Sequence, residues 1–439
     1  MTHKNSTFVG GDPTWANACV GENGLPGYWD YAKGFSQAAK VVIDLVIANR
    51  GLKYSVDELI YPVCFNMRHS VELRLKGAIE ELIQIEEKRE RKLVFDLAGS
   101  HDIWNIWSYF SEKSLVADDR YEPMILRLNS KIADIADIDS TGQTFRYPLS
   151  KESKKHLVDV SIINFVVLKR RFYELEKVLD DLHRLNKYLR DEYQCETFTK
   201  NLSRKNLFEI ASLLPNREMW RDESFGVVKE ELKLKYGIGS KELSDSIKLI
   251  ESNYELAPRI NISKPLRGID FHHIKAFLDH WFQLHELKDD KDSLDIEVYE
   301  QSSEDLFKSI IEKDAIREEI WDSVKTVLGP EQLAGLSALF YFGQELEFSE
   351  NYELAFSQEF LEVESLFSRS ERLVKTKYFH LLNKTCAPHN FLKALFFLRK
   401  DEIAEKTITL YNLDEKFSWL DDARTRVLFQ KPDYCGYAL

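Results

Sequence analysis

Seven apolar residues, Leu168, Phe172, Leu175, Leu179, Leu182, Leu185 and Leu189, follow one another at intervals of 4, 3, 4, 3, 3 and 4 positions. Only an α-helix returns side chains to one face at that interval, so the stretch reads as a helix with an apolar stripe. Extended from Lys154 to Glu196, the pattern predicts a helix of about forty residues, roughly 60 Å long at 1.5 Å per residue. A stripe of that length needs a partner. It is either an antiparallel arm inside a bundle of the same chain or one strand of a dimerising coiled coil. The same three-and-four spacing recurs through most of the 439 residues, and 18 Gly and 11 Pro are few for such a length. The fold class expected is all-α: an up-and-down helical bundle with a long helical hairpin, followed by a second helical region.

Local signals divide the chain further. Gly and Pro crowd residues 1–30, which read as an irregular segment pinned to the helical body by Tyr28, Trp29 and Tyr31. Residues 31–200 form the bundle with its long helix, 201–290 a helical middle region and 291–439 a C-terminal helical region, with the polar run Leu287–Asp295 as the linker. Within the bundle, one helix is expected from Trp29 to about Ala48. A second runs from Tyr61-Pro62, with proline in the first turn, to about Arg91. A third follows Gly99, with Ser100 as its N-cap and Asp102 in its first turn. Phe145-Arg146-Tyr147-Pro148 is the one expected extended stretch.

Composition narrows the function classes. Sixty Lys and Arg against 73 Asp and Glu give a net charge of −13, which excludes a uniformly basic nucleic-acid or membrane binder but permits a local basic cleft. No run approaches the ~18 apolar residues of a membrane span, and MTHKNSTFVGG has no apolar leader core, so a cytoplasmic protein without membrane contact is expected. The five cysteines never fall in a CxxC spacing, which speaks against a disulfide framework and a structural zinc site. His272, His273, His280 and His285 crowd one predicted helix but lack HExxH spacing. No metal or other cofactor is expected.

One polar cluster breaks the amphipathic pattern. With Arg68 set at zero on a helical wheel, Cys64, Met67, Val71, Leu75, Ala78, Ile79 and Leu82 spread over an arc from roughly −100° to +60°. Arg68 falls in the middle of that apolar arc, while Glu72, Lys76 and His69 line its flank. Charges facing inward are costly unless paired, and Glu72 lies one turn from both Arg68 and Lys76. The cluster is therefore either a buried ion-pair network that fixes helix register or a site. In a site, His69, the side chain type that titrates near neutrality, would be the acid/base, and Arg68 or Lys76 would bind an anion. His101 and Asp102 open the next helix at an end that favours anions. A simple helical hairpin would leave them about five turns from His69.

The runs Tyr61-Pro62-Val63-Cys64-Phe65-Asn66-Met67-Arg68-His69-Ser70-Val71-Glu72-Leu73-Arg74-Leu75-Lys76, Gly99-Ser100-His101-Asp102-Ile103-Trp104 and Phe145-Arg146-Tyr147-Pro148 resemble HEPN-like helical domains. The variants concerned occur in bacterial abortive-infection and antiphage proteins. The resemblance covers residues 28–150 and implies a four- or five-helix bundle, a homo-oligomer and, in active members, metal-independent RNA cleavage in which an Arg and a His promote attack of the 2′-hydroxyl. Carried onto this chain, it implies His69, Arg68 and Glu72 as catalytic residues and Lys76, His101, Asp102 and Arg146 as phosphate or RNA contacts. Arg68 and His69 are adjacent here, whereas active members separate the pair by several residues. The function expected is an antiphage-defence or toxin-type effector acting on RNA or a nucleotide. The alternative is a non-catalytic sensor or scaffold that binds a phage component or partner protein.

Overall fold

The computed structural model describes residues 5–149, 153, 155–287 and 303–438. All regular structure in it is helical; the only β feature among the described residues is an isolated bridge between Leu149 and Lys155. The chain forms two compact units, Met1–Gln194 and Cys195–Leu439. No helix among the described residues is long and apolar enough to cross a membrane.

The first unit is built on α1 (Tyr28–Ala48), α2 (Val56–Lys88), α3 (Ile103–Ala117), α4 (Glu122–Asp139) and α5 (Phe165–Gln194). Before α1, two short 3-10 turns interrupt an irregular segment whose side chains are exposed from Asn5 to Leu25, while Tyr28 and Trp29 are half-buried. The α2 helix packs on α1, α3 and α5, and α4 closes the bundle against α3 and α5. Ala39, Ile43 and Val46 of α1, Val63 and Met67 of α2, and Phe165 and Phe172 of α5 form one buried cluster.

Three helix boundaries differ from expectation, each for a local reason. The α2 helix begins six residues before Pro62, because Ser55 accepts the Glu58 N–H at 3.3 Å and Asp57 and Glu58 favour the positive end of the helix. Pro62 thus lies inside the helix. The α3 helix is capped by Asp102, which takes the Asn105 N–H at 2.9 Å, and not by Ser100. The long helix starts at Phe165, where the Asn164 side chain accepts from Val166 and Val167 at 2.9 and 3.1 Å. At 30 residues α5 is shorter than expected; the expected start, Lys154, lies outside the described residues. Its stripe is nevertheless buried within the chain, from Phe172 to Leu189. Phe145–Pro148 is a turn and not an extended strand, with Arg146 and Tyr147 donating to the Gln143 carbonyl at 3.2 and 3.0 Å.

The second unit contains α6 (Arg204–Leu213), α7 (Glu223–Tyr236), α8 (Ser240–Ser252), α9 (Phe271–Leu284), α10 (Ser303–Val324), α11 (Pro330–Phe342), α12 (Glu350–Arg369), α13 (Glu371–Leu382), α14 (Ala387–Phe397), α15 (Asp401–Tyr411) and α16 (Leu420–Arg424). Leu207, Phe208, Ile210 and Ile250 centre one core, and Phe277, Trp281, Leu339 and Phe391 a larger one. The expected linker lies outside the described residues from position 288 onward.

Candidate functional site

The i, i+4, i+8 series Arg68, Glu72 and Lys76 lies on the buried side of α2, as the helical wheel requires; the three residues are 4%, 2% and 4% exposed. Glu72 is the hub. Its Oε2 accepts from Arg68 Nη1, and its Oε1 lies 2.9 Å from Lys76 Nζ and 3.0 Å from His101 Nδ1. His69 Nδ1 stands 3.8 Å from Oε2, too long for a full hydrogen bond but close enough to act as a charge. Burial by itself would raise the Glu72 carboxyl. The nearby His69 ring, the Lys76 and His101 donors and the Arg68 charge outweigh it and hold the group well below the usual carboxylate range.

Arg68 is fully occupied. Besides Glu72, its Nε donates to the Asp139 carbonyl at 3.0 Å, and its Nη2 to the Ser140 carbonyl at 2.7 Å and to the His101 carbonyl. The last carbonyls of α4 lack partners within their own helix, so a guanidinium from α2 caps them while gripping the start of α3. Two further contacts close this corner. Ile103 N–H donates to the Ser140 carbonyl at 2.9 Å, and the Ser140 hydroxyl donates to Asp102 Oδ2. Gly142 adopts φ +79°, and a Cβ there would stand 3.1 Å from Arg68 Nη1, so the turn after α4 requires glycine on both counts.

Arg68 is thus a clamp joining three helices, and Asp102, with both carboxylate oxygens committed, caps and fastens α3. Lys76 is buried against Glu72. Neither Arg68 nor Lys76 presents its charge to solvent.

The two histidines differ. His69 sits between the Phe35 ring, edge-on at 4.5 Å, and the Phe65 ring, stacked at 5.7 Å, with a quarter of its side chain exposed. The His101 side chain is 62% exposed. Because an ionised Glu72 can only accept, His101 Nδ1 must carry the hydrogen that joins them, which leaves Nε2 with its lone pair turned outward whenever the ring is neutral. This is the carboxylate–imidazole relation found in catalytic triads, where the acid fixes the tautomer and orientation of the base. Arg146 is exposed and lies over the Phe65 ring at 4.9 Å, without an ion pair among the described residues. It is the cation of the predicted set that solvent can reach.

His101 therefore lies on the same carboxylate as His69, and not five turns away. Residues 89–102 leave α2 and run back along it without helical structure, held by Tyr109 Oη on the Val94 carbonyl at 3.1 Å and by an Asp96–Gly99 turn. Thirteen residues reach about 40 Å when extended, ample for the roughly 24 Å from Lys88 back to Glu72. Phe35, Phe65, Ser140 and Gly142 belong to the site but carried no signal as site residues.

In the first unit a cavity of about 650 Å³ lies among α2, α4 and α5; Arg68 forms part of its wall, while Glu72, His69 and His101 lie outside it. Among the described residues no group of three His, Cys, Asp or Glu side chains is arranged to hold a metal. Three of the four histidines in and after α9 have their own partners: His273 pairs with Asp270 at 2.7 Å, His280 with Tyr378 at 2.9 Å, and C-terminal to the helix His285 bonds the Leu382 carbonyl at 2.9 Å. No protein-family model, curated protein or solved structure matches the chain.

Proposed function

We propose that the corner where α2, α3 and the end of α4 meet is an acid–base site for metal-independent RNA cleavage. His101 acts as the general base that takes the 2′-hydroxyl proton, and His69, on the same carboxylate, protonates the leaving oxygen. Glu72 orients both rings, Arg146 attracts the phosphate, and Arg68 and Lys76 position Glu72 without touching substrate. The observation that carries this reading is the 3.0 Å contact between Glu72 Oε1 and His101 Nδ1, with the rest of the ring exposed. Together with the resemblance to HEPN-like domains, it supports a toxin-type or antiphage effector that acts in the cytoplasm as a homo-oligomer.

The test is cleavage of end-labelled total RNA and tRNA by purified protein in EDTA, beside His101→Ala and His69→Ala variants with unchanged circular dichroism. Cutting by wild type that is lost in His101→Ala is the expected result. Equal cutting by wild type and His101→Ala overturns the assignment of the base.

A second reading is favoured by the complete engagement of Arg68: the cluster as a structural clamp in a sensor or scaffold that binds a phage component or partner protein. Replacing Arg68, Glu72 and Lys76 together by Met, Leu and Met removes every buried charge at similar volume, a change that buried ion networks often tolerate. Under this reading the triple variant keeps its biological activity; under the catalytic reading it loses it.

A further inference from the structure

The second unit holds a group of cations that its carboxylates do not balance. The turn between α14 and α15 meets the loop 254–264 around a pocket of about 150 Å³ lined by Lys264, Arg399, Lys400, Ser263, Asn261 and Tyr254 among others. Three cations line it and no carboxylate does, in a chain whose net charge is −13.

Lys400 is 8% exposed, and its ammonium, which has three hydrogens to place, meets one acceptor, the Ser263 hydroxyl at 3.0 Å. Arg399 is half-buried, and its guanidinium has no hydrogen-bond or ion-pair partner among the described residues; its backbone is held at φ +58°. Lys264 is partly neutralised by Glu353 at 3.1 Å.

The surroundings reinforce the imbalance. Burial, with Lys264 nearby, pulls Lys400 below its usual range. Burial, with Arg399 nearby, does the same to Arg259 and brings Arg426 to about 10. Arg426 spends its Nη donors on the carbonyls of Phe396 and Phe397 at the end of α14. Asp401, which opens α15, is exposed; burial of its carboxyl pushes it up against the pull of Arg426, Arg399 and Lys400, and it forms no ion pair with Arg399 or Lys400 among the described residues. Like charges gathered at low solvent exposure repel one another and are costly to desolvate, and an anion placed among them relieves both effects.

We infer that this pocket is a binding site for a phosphate dianion, free or as a terminal phosphate monoester, held by Arg399, Lys400, Lys264 and the Ser263 hydroxyl. A tetrahedral oxyanion matches several convergent donors and the small volume, and a guanidinium without a partner is the group that chelates two of its oxygens. This inference does not depend on the site in the first unit.

The experiment is thermal unfolding of the full chain titrated with inorganic phosphate against chloride at matched ionic strength, repeated with adenosine monophosphate and adenosine. Phosphate should raise the midpoint in a saturable way where chloride does not. A stronger response to adenosine monophosphate, with adenosine silent, would mark the ligand as a nucleotide; a stronger response to phosphate would mark the free anion. Arg399→Gly suits the left-handed backbone and removes a like charge, so without phosphate it should unfold no earlier than wild type, yet lose at least about tenfold in apparent phosphate affinity. Lys400→Met, checked for folding by circular dichroism, should lose the response similarly. Equal effects of phosphate and chloride, or the same phosphate response in wild type and both variants, would overturn the inference.

Discussion

Two of the buried ion networks in the first unit are built in opposite ways. Where the turn before α4 meets the end of α5, one cation serves two carboxylates: Arg120 donates to Asp118 through Nε and Nη2, each at 2.8 Å, and to Glu192 through Nη1 at 3.0 Å, with Tyr193 Oη adding a bond to Asp118 at 2.9 Å. The three charged residues and Tyr193 are all buried. At the α2 corner the numbers reverse. One carboxylate serves two permanent cations and two imidazoles, and the last of these reaches solvent. The first network lies on buried groups, as a register-fixing element should. The second ends on a group that can exchange protons with whatever arrives. Burial and pairing alone do not separate structure from function; under the proposed function, the terminal imidazole that reaches solvent is what sets the second network apart.

That contrast can be broken in four ways. The largest effect should come from His101→Ala, which is expected to reduce RNA cleavage by about 10²- to 10⁴-fold while moving stability by no more than about 1 kcal/mol, since the lost side chain is mostly in solvent. Single-turnover kinetics and urea unfolding on one preparation check both halves. Arg120→Met should show the reverse: a loss of about 3–5 kcal/mol in urea unfolding, because two buried carboxylates lose their cation, with cleavage by the remaining folded fraction unchanged.

Glu72→Gln should fall between them, costing about 3 kcal/mol near neutral pH as Arg68 and Lys76 lose their counter-charge. Its pH dependence has a definite sign. The folded Glu72 carboxyl lies below its unfolded value of about 4.3, so the stability it contributes is present above that pH and is lost as pH falls through the folded value. The gap between wild type and Glu72→Gln should therefore narrow as unfolding is followed from about pH 5 down to pH 2; a constant gap would mean that Glu72 is not the ionised hub. Smallest is Gly142→Ala, expected to cost about 1–2 kcal/mol in thermal or urea unfolding through its positive φ and its crowding of Arg68.

Much of this was legible in the residues. The stripe from Leu168 to Leu189 gave α5 its face, and the inward placement of Arg68 among apolar neighbours announced the buried charge before any coordinate. The start of α2 has a signal in the sequence, since Ser55 followed three residues later by Glu58 is a capping signature, but Pro62, an equally ordinary first-turn residue, competes with it. The position of His101 was not. Residues 89–102 carry no periodicity, and the path of an irregular segment is set by the surfaces it crosses and not by its own spacing. The second half of the site, Ser140 and Gly142, lies about seventy residues from Arg68 and is joined to it only through backbone carbonyls, which leave no pattern in side-chain type.

The grip of Arg68 on the Asp139 and Ser140 carbonyls also sets an order in time. A chain growing from its N-terminus completes α2 long before it supplies those two carbonyls, so for dozens of residues the guanidinium can find only water, Glu72 and, later, the His101 carbonyl. Until the turn after α4 has closed, α3 lacks its Ser140 anchor at its first residue, and only the Arg68 and Glu72 contacts hold His101 in place. A nascent or truncated chain would therefore lack the assembled corner, and whatever chemistry that corner performs begins only once the bundle is whole.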